Sequence, residues 1–418
     1  MKNISSNVDV VIIGAGPSGS VAAGLLVQQG LKVLVLEKQV FPRFSIGESL
    51  LPQCMAFIEK AGFMNAVQKA AEPAGFQFKN GAAFQRHGEY EAFNFEEKFT
   101  PGWGTTFQVE RGSFDKVLID EAEAKGAEVH YQVEVIDVVT GGSPSVLCRS
   151  EAGSEHRIEC KFILDASGFG RVLPRLLDIE EPSDFPVRRS VFTHVRDNID
   201  SQGYDRSKIL VTVHPENEEV WYWLIPFSDG RCSLGIVAEP SWFEKYGDNS
   251  DVEILQTAIS EDPYLSDLLA NAIFDFPARQ LTGYSCNVKQ MFGEGYALLG
   301  NAGEFLDPVF SSGVTIAMYS ADLAVTLLAK QFNGDVVDWQ SEYAEPLGLG
   351  VNTFRTFVDT WYNGKLQSII FSNAKSDEIK EMISSILAGY AWDTSNPYVA
   401  DSRRKMSVLA KVCQSVYS

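Results

Sequence analysis

Three glycines near the N-terminus have the spacing of a loop that binds a pyrophosphate. Gly14, Gly16 and Gly19 form G-x-G-x-x-G directly after the apolar run DVVII and at the start of a helical pattern. The first glycine permits a tight turn, the second lets the backbone approach phosphates, and the third lets the helix pack on the strand. Glu37 ends the next apolar run, where a carboxylate can bind ribose hydroxyls. The dinucleotide site that this pattern predicts also includes Pro17, Ser18 and Lys38.

Two tryptophans lie close together on another predicted strand, later in the chain. In the stretch EVWYWLIPFS, residues 219–228, Trp221 and Trp223 are two positions apart, so they point to the same face of an extended chain. The pair is either one face of an ordinary core strand or the wall of a reactive site. The spacing alone leaves both interpretations open.

Composition limits the classes of function. The 418 residues include 35 basic and 55 acidic side chains, and the net charge of −20 argues against binding to nucleic acid or to an anionic membrane. The six cysteines are scattered without C-x-x-C, so we expect no metal site and no disulfide framework, but reduced thiols in a cytoplasmic protein. No apolar run approaches the ~18 residues of a membrane span, and we expect neither a span nor a signal peptide.

The order of the predicted elements indicates an α/β fold in which one domain interrupts another. A strand–helix–strand unit at residues 9–38 is typical of a Rossmann-like domain, whereas residues 187–237 alternate like antiparallel strands. We also expect a helix over 106–126 and a single strand over 129–139. The predicted units are a discontinuous FAD-binding or NAD-binding domain of residues 1–75, 105–185 and 280–335, an inserted antiparallel β-sheet substrate domain of residues 76–104 and 186–279, and a C-terminal helical region of residues 336–418.

Further segments decide between the nucleotides. RGSFDKVL (111–118), LDASG (164–168) and LLGNAGEFLDP (298–308) resemble motifs of the FAD-dependent monooxygenase superfamily, which has the p-hydroxybenzoate-hydroxylase-like fold. The resemblance implies FAD as the cofactor. It also implies a helix that begins near residue 312 and faces the flavin. One position departs from the superfamily pattern, because Asn301 stands where an aspartate is usual. The cofactor-binding residues implied here are Arg111, Asp165, Gly168 and Asn301.

The tryptophan pair belongs to a more specific pattern. W-x-W-x-I-P at residues 221–226, together with FPRFSIGESLLP (41–52), GFQFKNGAAF (75–84) and FLDPVFSSGV (305–314), resembles the flavin-dependent halogenases. This resemblance implies that Lys79 is the catalytic lysine, that Ser312 and Gly313 hold the halide, and that Trp221 and Trp223 separate the organic substrate from the flavin. It places Arg43, Pro308, Gly313 and Val314 beside FAD, and it leaves Arg43 and Glu48 as a possible structural pair.

The chemistry of that family uses reduced FAD, oxygen and chloride or bromide to make hypohalous acid. Lys79 would then bind this product by a hydrogen bond or as a haloamine and present it to an electron-rich aromatic ring. No second dinucleotide fingerprint is present, which indicates a separate NAD(P)H flavin reductase as partner.

One residue that differs from the pattern of tryptophan halogenases indicates the class of substrate. Phe310 stands where tryptophan halogenases have a glutamate, which favours a phenol or pyrrole as substrate. Such a substrate could be tethered to an acyl carrier protein. A basic cluster in the acidic chain is a candidate docking patch for that carrier, although a solvated helix face is the more usual explanation of such a cluster: Arg403, Arg404, Lys405 and Lys411.

Other interpretations remain open from the residues. The same scaffold could belong to an aromatic hydroxylase or to a geranylgeranyl-reductase-like saturase, neither of which would need halide. It could also belong to a flavin-binding protein without turnover. Lys79 could be an exposed strand lysine, which is the usual location of lysine.

Overall fold

The central sheet of the protein carries the glycine loop. The computed structural model describes residues 4–200 and 203–415. Within those ranges one six-stranded sheet has five parallel strands and a short antiparallel strand at its edge. In spatial order its strands are Phe292–Gly293, Tyr296–Leu298, Phe162–Asp165, Val10–Ile13, Val33–Glu37 and Glu128–Tyr131. Val10–Ile13 and Val33–Glu37 are buried at every residue, as parallel strands covered on both faces must be.

Helices cover this sheet and begin at its functional edge. Pro17–Gln28 follows the glycine loop and packs against Arg111–Ala124 and Gly313–Phe332. Among the described residues, Gly313–Phe332 is the one helix whose length and composition would allow it to cross a membrane. However, 61% of its most apolar stretch is buried inside the protein. Most of that stretch is therefore packed against other parts of the protein.

A second large sheet forms the inserted β-rich part. It has seven strands, in the spatial order Arg279–Thr282, Arg189–Arg196, Arg231–Ala238, Asn217–Pro226, Lys208–His214, Gly81–Arg86 and Glu89–Asn94. Neighbouring strands are antiparallel except at one position, where Lys208–His214 and Gly81–Arg86 run parallel. The two strands from residues 81–94 therefore extend a sheet that is otherwise antiparallel.

The two faces of this sheet pack against different partners. Trp221 and Trp223 face the main hydrophobic core, which the sheet shares with the parallel domain and the C-terminal helices. Tyr222 and Leu224, on the opposite face, pack in a separate core under Asp251–Ser260. The strand is buried on both faces because each face carries its own apolar cluster.

The remaining elements complete the chain. Three smaller sheets contain Gln77–Lys79 with Thr106–Gln108, Val133–Val139 with Ser145–Ser150 and Glu155–Glu159, and Glu180–Pro182 with Cys286–Val288. The other α-helices are Gln53–Lys60, Met64–Ala71, Val172–Leu176, Asp251–Ser260, Pro263–Leu268, Glu345–Tyr362, Lys365–Ile370, Asp377–Leu387, Pro397–Ala400 and Ser402–Ser415. The described part of residues 336–418 is thus mainly helical. The predicted α/β fold with a Rossmann-like sheet, an inserted antiparallel sheet and a helical C-terminal region is confirmed.

Two local predictions were wrong. The helix expected over 106–126 begins at Arg111, because Thr106–Gln108 is a strand that pairs with the strand of Lys79. The strand expected over 129–139 is two strands in different sheets, separated at Gln132, whose φ of 60° turns the chain. In both regions the residue pattern continues across the break. Only the strand-pairing partners show where one element ends and the next begins.

The close packing of Trp223 on its neighbouring strand gives a test of this sheet. Gly235 lies opposite Trp223, and a Cβ at Gly235 would lie 2.3 Å from the indole ring. We expect Gly235→Ala to lower the free energy of unfolding by about 1–3 kcal/mol, because overpacking forces the ring or the strand to move. Urea unfolding measures the change. Gly348→Ala, at a helical site with open space, is the control and should be neutral or stabilising; equal stability of both variants would contradict the packing.

Candidate active site

The glycine loop has the geometry that its spacing predicts. Gly14 has φ +98°, and a Cβ there would lie 2.6 Å from the carbonyl oxygen of Ala166. A Cβ on Gly19 would lie 2.1 Å from the carbonyl oxygen of Gly14. At Gly16 the space is open except for the guanidinium of Arg43 at 3.6 Å. A side chain at Gly14 or Gly19 would therefore collide with the backbone of the protein itself. At Gly16 the space remains open, beside the positive charge of Arg43.

The helix that follows this loop presents its first turn to the same space. Pro17 occupies the start of the helix and Gly16 the N-cap, and in the described chain no side chain caps the free N–H groups there. Ser18 and Gly19 are buried in that turn. Uncapped N–H groups and the positive end of the helix dipole favour a phosphate.

Glu37 lies under the glycine loop. Its carboxylate is buried and accepts the N–H groups of Ala15 at 2.9 Å and Gln39 at 2.8 Å. Each oxygen keeps a lone pair for another donor, such as a ribose hydroxyl. Lys38, the next residue, is exposed and pairs with Glu134 at 2.7 Å.

Two arginines converge on one buried carboxylate. Arg111 makes a bidentate pair with Asp115 at 2.8 and 3.0 Å, and Arg43 reaches the same carboxylate at 3.2 Å. Arg111 also donates to the carbonyl oxygen of Ile46 at 2.8 Å, so it holds the segment 41–52 against its helix. The possible pair of Arg43 with Glu48 does not form, since Arg43 pairs with Asp115 and Glu48 with His194.

Glu48 has a different partner that the sequence did not suggest. Its Oε1 is 2.8 Å from Nε2 of His194 on the second sheet, and the hydrogen bond and charge of Glu48 raise the pKa of His194 against the effect of burial. Oε2 of Glu48 is buried and without a hydrogen-bond partner among the described residues. The pair ties the segment 41–52 to the inserted sheet.

The turn after the strand Phe162–Asp165 supports the glycine loop. Asp165 accepts the N–H of Ser167 at 2.9 Å and the N–H of Leu173 at 2.7 Å, and burial raises its pKa. Both of its oxygens thus serve the turn that touches Gly14. Gly168, at φ +58°, has open space around its Cβ position.

Asn301 approaches the start of the helix Gly313–Phe332. Its Oδ1 lies 3.8 Å from the position of a Cβ on Gly313. Ser312 is the N-cap residue but offers no side-chain cap in the described structure, so the first N–H groups, including that of Val314, need another acceptor. Pro308 opens the short turn Pro308–Phe310 just before this helix.

Lys79 is fully buried, so the exposed-lysine alternative is wrong. Its Nζ donates to Oγ of Ser49 at 2.8 Å and to the carbonyl oxygen of Leu50 at 2.7 Å. Burial lowers the pKa of this amine to about 7. Lys79 is therefore a buried amine whose charge changes near neutral pH, a property that fits acid–base or nucleophilic chemistry.

An apolar pocket surrounds the amine. Its volume is about 10 Å³, close to the space that one water molecule needs, so an aromatic substrate must displace side chains to enter. Three residues of the loop before the helix Gly313–Phe332 form one wall, and Phe310 is among them. Besides Lys79 the lining is Leu51, Ala82, Phe84, Phe95, Ile209, Val211, Val309, Phe310, Ser311 and Leu387.

The tryptophans are placed one strand away from this pocket. Trp223 lies opposite Val211, which lines the pocket, and its Nε1 donates to Oγ of Ser233 at 3.1 Å. The rings of Trp221 and Trp223 are 6.0 Å apart and inclined at 47°. Trp221 donates to the hydroxyl of Tyr362 at 3.0 Å. Both indoles are buried and hydrogen-bonded in the core next to the pocket.

Several residues that build the site were not named from the sequence. Asp115 was visible as the residue four after Arg111 in RGSFD, which places both on one helix face. His194 and Tyr362 gave no local signal, because their partners are far along the chain: Glu48 is 146 residues from His194 and Asp307 is 55 residues from Tyr362.

FAD fits this arrangement. The open space at Gly16 beside Arg43 and the uncapped helix start suit a pyrophosphate, and the buried carboxylate of Glu37 suits a ribose. The uncapped start of Gly313–Phe332 beside Asn301 suits the flavin end. Fold and site therefore define an FAD-binding oxidoreductase.

Comparison with known proteins also indicates a protein that binds FAD. The FAD binding domain family model matches residues 7–340. Tryptophan 2-halogenase of Chondromyces crocatus is 30% identical over 80% of this chain, which covers 63% of that relative's length. The 1H-pyrrole-2-carbonyl-(peptidyl-carrier protein) brominase of Pseudoalteromonas luteoviolacea is 30% identical over 80% of each chain. The crystal structure of a flavoprotein/dehydrogenase from Cytophaga hutchinsonii has a TM-score of 0.94 and 42% identity, covering 99% of this chain and 100% of that one.

This chain belongs to the FAD-binding-domain family and, within it, to the flavin-dependent halogenases. The resemblance identified from its motifs is thereby confirmed, as is FAD as the cofactor.

Glu37 allows a direct test of the dinucleotide site. We expect Glu37→Gln to weaken FAD binding about tenfold, because the amide keeps the contact to Ala15 but loses the charge and one acceptor. Flavin fluorescence titration gives the dissociation constant. Glu155→Gln, an exposed carboxylate that pairs with Arg149, is the control. Wild-type affinity in Glu37→Gln would remove Glu37 from the site.

The low pKa of Lys79 predicts a pH-dependent effect on stability. The unfolded lysine titrates near 10.5 and the folded one near 7, so between these values the unfolded state binds the extra proton and wild-type stability rises with pH. Below pH 7 the burial cost is largest, on the order of 5 kcal/mol. Lys79→Met removes this cost but loses two hydrogen bonds worth about 1 kcal/mol each.

We therefore expect Lys79→Met to stabilise the protein by roughly 2–3 kcal/mol at pH 6 and to lose this advantage by pH 9.5. Urea unfolding at the two pH values measures the difference. Lys69→Met, at an exposed position, should show no pH-dependent change. A gain in Lys79→Met that is the same at both pH values would show that the buried amine does not titrate in this range.

Proposed function

We propose that this protein is a two-component FAD-dependent halogenase that acts on an electron-rich aromatic ring, with reduced FAD supplied by a separate NAD(P)H flavin reductase in the cytoplasm. The observation that carries the proposal is Lys79: a fully buried amine in an apolar pocket whose wall is the loop leading into the flavin-side helix. Family membership supports the chemistry, and the pocket supports a lysine-directed step.

The halide would be held by the backbone at the start of Gly313–Phe332. Reduced FAD together with oxygen supplies the oxidising equivalent that converts the halide to hypohalous acid. The N–H groups of Ser312 and Gly313 lie at an uncapped helix start, where chloride or bromide is favoured by the helix dipole. Val309, Phe310 and Ser311, which precede them, line the lysine pocket and would separate it from the halide.

Lys79 would receive the electrophile and orient it. With a pKa of about 7, both the ammonium and the neutral amine are populated near neutral pH. The ammonium donates a hydrogen bond to hypohalous acid, whereas the neutral amine can attack its halogen, which breaks the oxygen–halogen bond, forms a haloamine and releases water. Ser49 and Leu50 hold Nζ at the pocket wall from one side, which leaves one direction of the amine free to face the substrate.

The apolar lining supports a phenol or pyrrole substrate. Phe310 packs edge-on against Phe357 and Trp361 at 6.0 and 5.9 Å, so it is part of the core at the position where a tryptophan halogenase would need a carboxylate. One curated relative is named for a pyrrole on a peptidyl-carrier protein, which supports a tethered substrate here too. The helix Ser402–Ser415 exposes Arg403, Arg404 and Lys405 as a candidate surface for an acidic carrier.

A second function is favoured by two specific observations. The lysine pocket is nearly filled, and the 42%-identical relative is described as a flavoprotein/dehydrogenase. A non-halogenating flavoenzyme on this scaffold, a hydroxylase or a saturase, would need no halide and no reaction at Lys79. The halide dependence of the product separates the two functions.

The test of the proposal is a product assay with matched variants. FAD-loaded protein, a flavin reductase with NADH, oxygen, bromide and a panel of phenols and pyrroles are combined, and products are read by mass spectrometry. We expect a bromine isotope pattern from the wild type, reduced about 10²-fold or more in Lys79→Met. Lys375→Met is the control, because Lys375 is a half-buried lysine that donates to backbone carbonyls but lies outside the pocket.

Other outcomes would contradict the proposal in different ways. Oxygenated product that forms without bromide would assign the protein to the second function. Brominated product from Lys79→Met at the wild-type rate would keep the halogenase but remove the role of Lys79.

A further inference from the structure

A chain of hydrogen bonds links the tryptophan motif to the loop of the proposed halide site. Nε1 of Trp221 donates to the hydroxyl of Tyr362 at 3.0 Å, and this hydroxyl donates to Oδ2 of Asp307 at 2.9 Å. Trp221 lies on the second sheet, Tyr362 ends the helix Glu345–Tyr362, and Asp307 precedes the turn Pro308–Phe310. Three separate parts of the fold therefore meet at one phenol.

Asp307 fixes the start of the loop. Oδ1 accepts the N–H of Val309 at 3.0 Å, so the carboxylate caps the turn Pro308–Phe310. Burial raises the pKa of this carboxyl to about 6, although the N–H of Val309, the hydroxyl of Tyr362 and the charge of Arg188 all oppose the rise. A carboxylate in such a place is costly unless its donors remain.

The surroundings hold the phenol in one position. The guanidinium of Arg188 lies 3.9 Å from the centre of the Tyr362 ring and is itself paired with Glu219 at 3.1 Å. Arg188 is buried, so its stacking restricts the ring from that side. Tyr362 can then donate only in the direction of Asp307 while it accepts from Trp221.

The loop that depends on this capping is tight. Ser311, four residues after Asp307, adopts the left-handed conformation at φ 56°, and the helix begins two residues later at Gly313. A serine in this conformation is strained and persists only where its surroundings fix the backbone. We therefore expect a displacement of Asp307 to shift the N–H groups of Ser312 and Gly313 through this short loop.

We propose that Asp307 and Tyr362 are positioning residues that hold the N–H groups of the halide loop, Asp307–Gly313, in the arrangement that binds the anion. This inference rests on the proposed function, because it takes the start of Gly313–Phe332 as the halide site. It also gives the strand of Trp221 and Trp223 two roles. The strand packs beside the lysine pocket, and it supports halide binding through Tyr362.

Bromide binding to the FAD-loaded protein tests the proposal without turnover. The dissociation constant of bromide comes from the bromide-dependent rise of the melting temperature at constant ionic strength, and that of FAD from flavin fluorescence. We expect Tyr362→Phe to bind bromide about tenfold more weakly and FAD within about twofold of the wild type, because one charge-assisted hydrogen bond is lost.

The control variant lies on the same strand as Trp221. Tyr222 points to the opposite face and donates its hydroxyl to the carbonyl oxygen of Ala258 at 2.8 Å. Tyr222→Phe thus loses one buried tyrosine hydrogen bond without touching the loop, and it should bind bromide and FAD as the wild type does. If Tyr362→Phe does not fold, Asp307→Asn, which keeps an acceptor but no charge, should show the same selective loss of bromide affinity.

The results that would overturn the proposal are distinct from a failure of the proposed function. Wild-type bromide affinity in Tyr362→Phe, or an equal loss of bromide and FAD affinity, would overturn the positioning role while the wild type still binds bromide. Absence of bromide binding by the wild type would instead remove the halide site, and with it both the proposed function and this inference.

Discussion

The structure depends on keeping one amine, Lys79, out of water. Its two acceptors, Oγ of Ser49 and the carbonyl oxygen of Leu50, come from the segment 41–52, while its strand pairs with Thr106–Gln108. An ammonium in an apolar pocket is expensive, so its pKa falls to about 7 and the segment that supplies the acceptors must stay in place. The reactive group and the loop that supports it are thus stabilised together.

The supporting segment is fixed to both halves of the protein. Arg111 binds Asp115 on its own helix and the carbonyl oxygen of Ile46, which ties the segment to the FAD-binding sheet and its helices. Glu48 pairs with His194 on the inserted sheet. Because one segment carries both Arg43, which lies beside the glycine loop, and the acceptors of Lys79, the glycine loop and the amine are connected through a short stretch of chain.

The sequence predicted the local patterns better than the long-range pairs. The glycine loop, the buried strands and the strand of Trp221 and Trp223 follow from local composition, whereas the helix from Gly313 and the W-x-W-x-I-P motif followed from a resemblance. The break at Gln132, the pairing of Arg43 with Asp115 and the contact between Tyr362 and Asp307 depend on residues far apart in the chain or on φ values that residue type does not determine. The proposed domain boundaries and the roles of individual site residues stay predictions.

The most direct test of the account is to locate bromide in crystals of the FAD-loaded protein by anomalous diffraction. The account requires the halide and the lysine to occupy separate spaces, divided by the loop residues Val309, Phe310 and Ser311. It predicts an anomalous peak at the N–H groups of Ser312 and Gly313, with Lys79 still bonded to Ser49 and Leu50. Bromide bound at Lys79, or absent from the helix start at concentrations that saturate turnover, would contradict it.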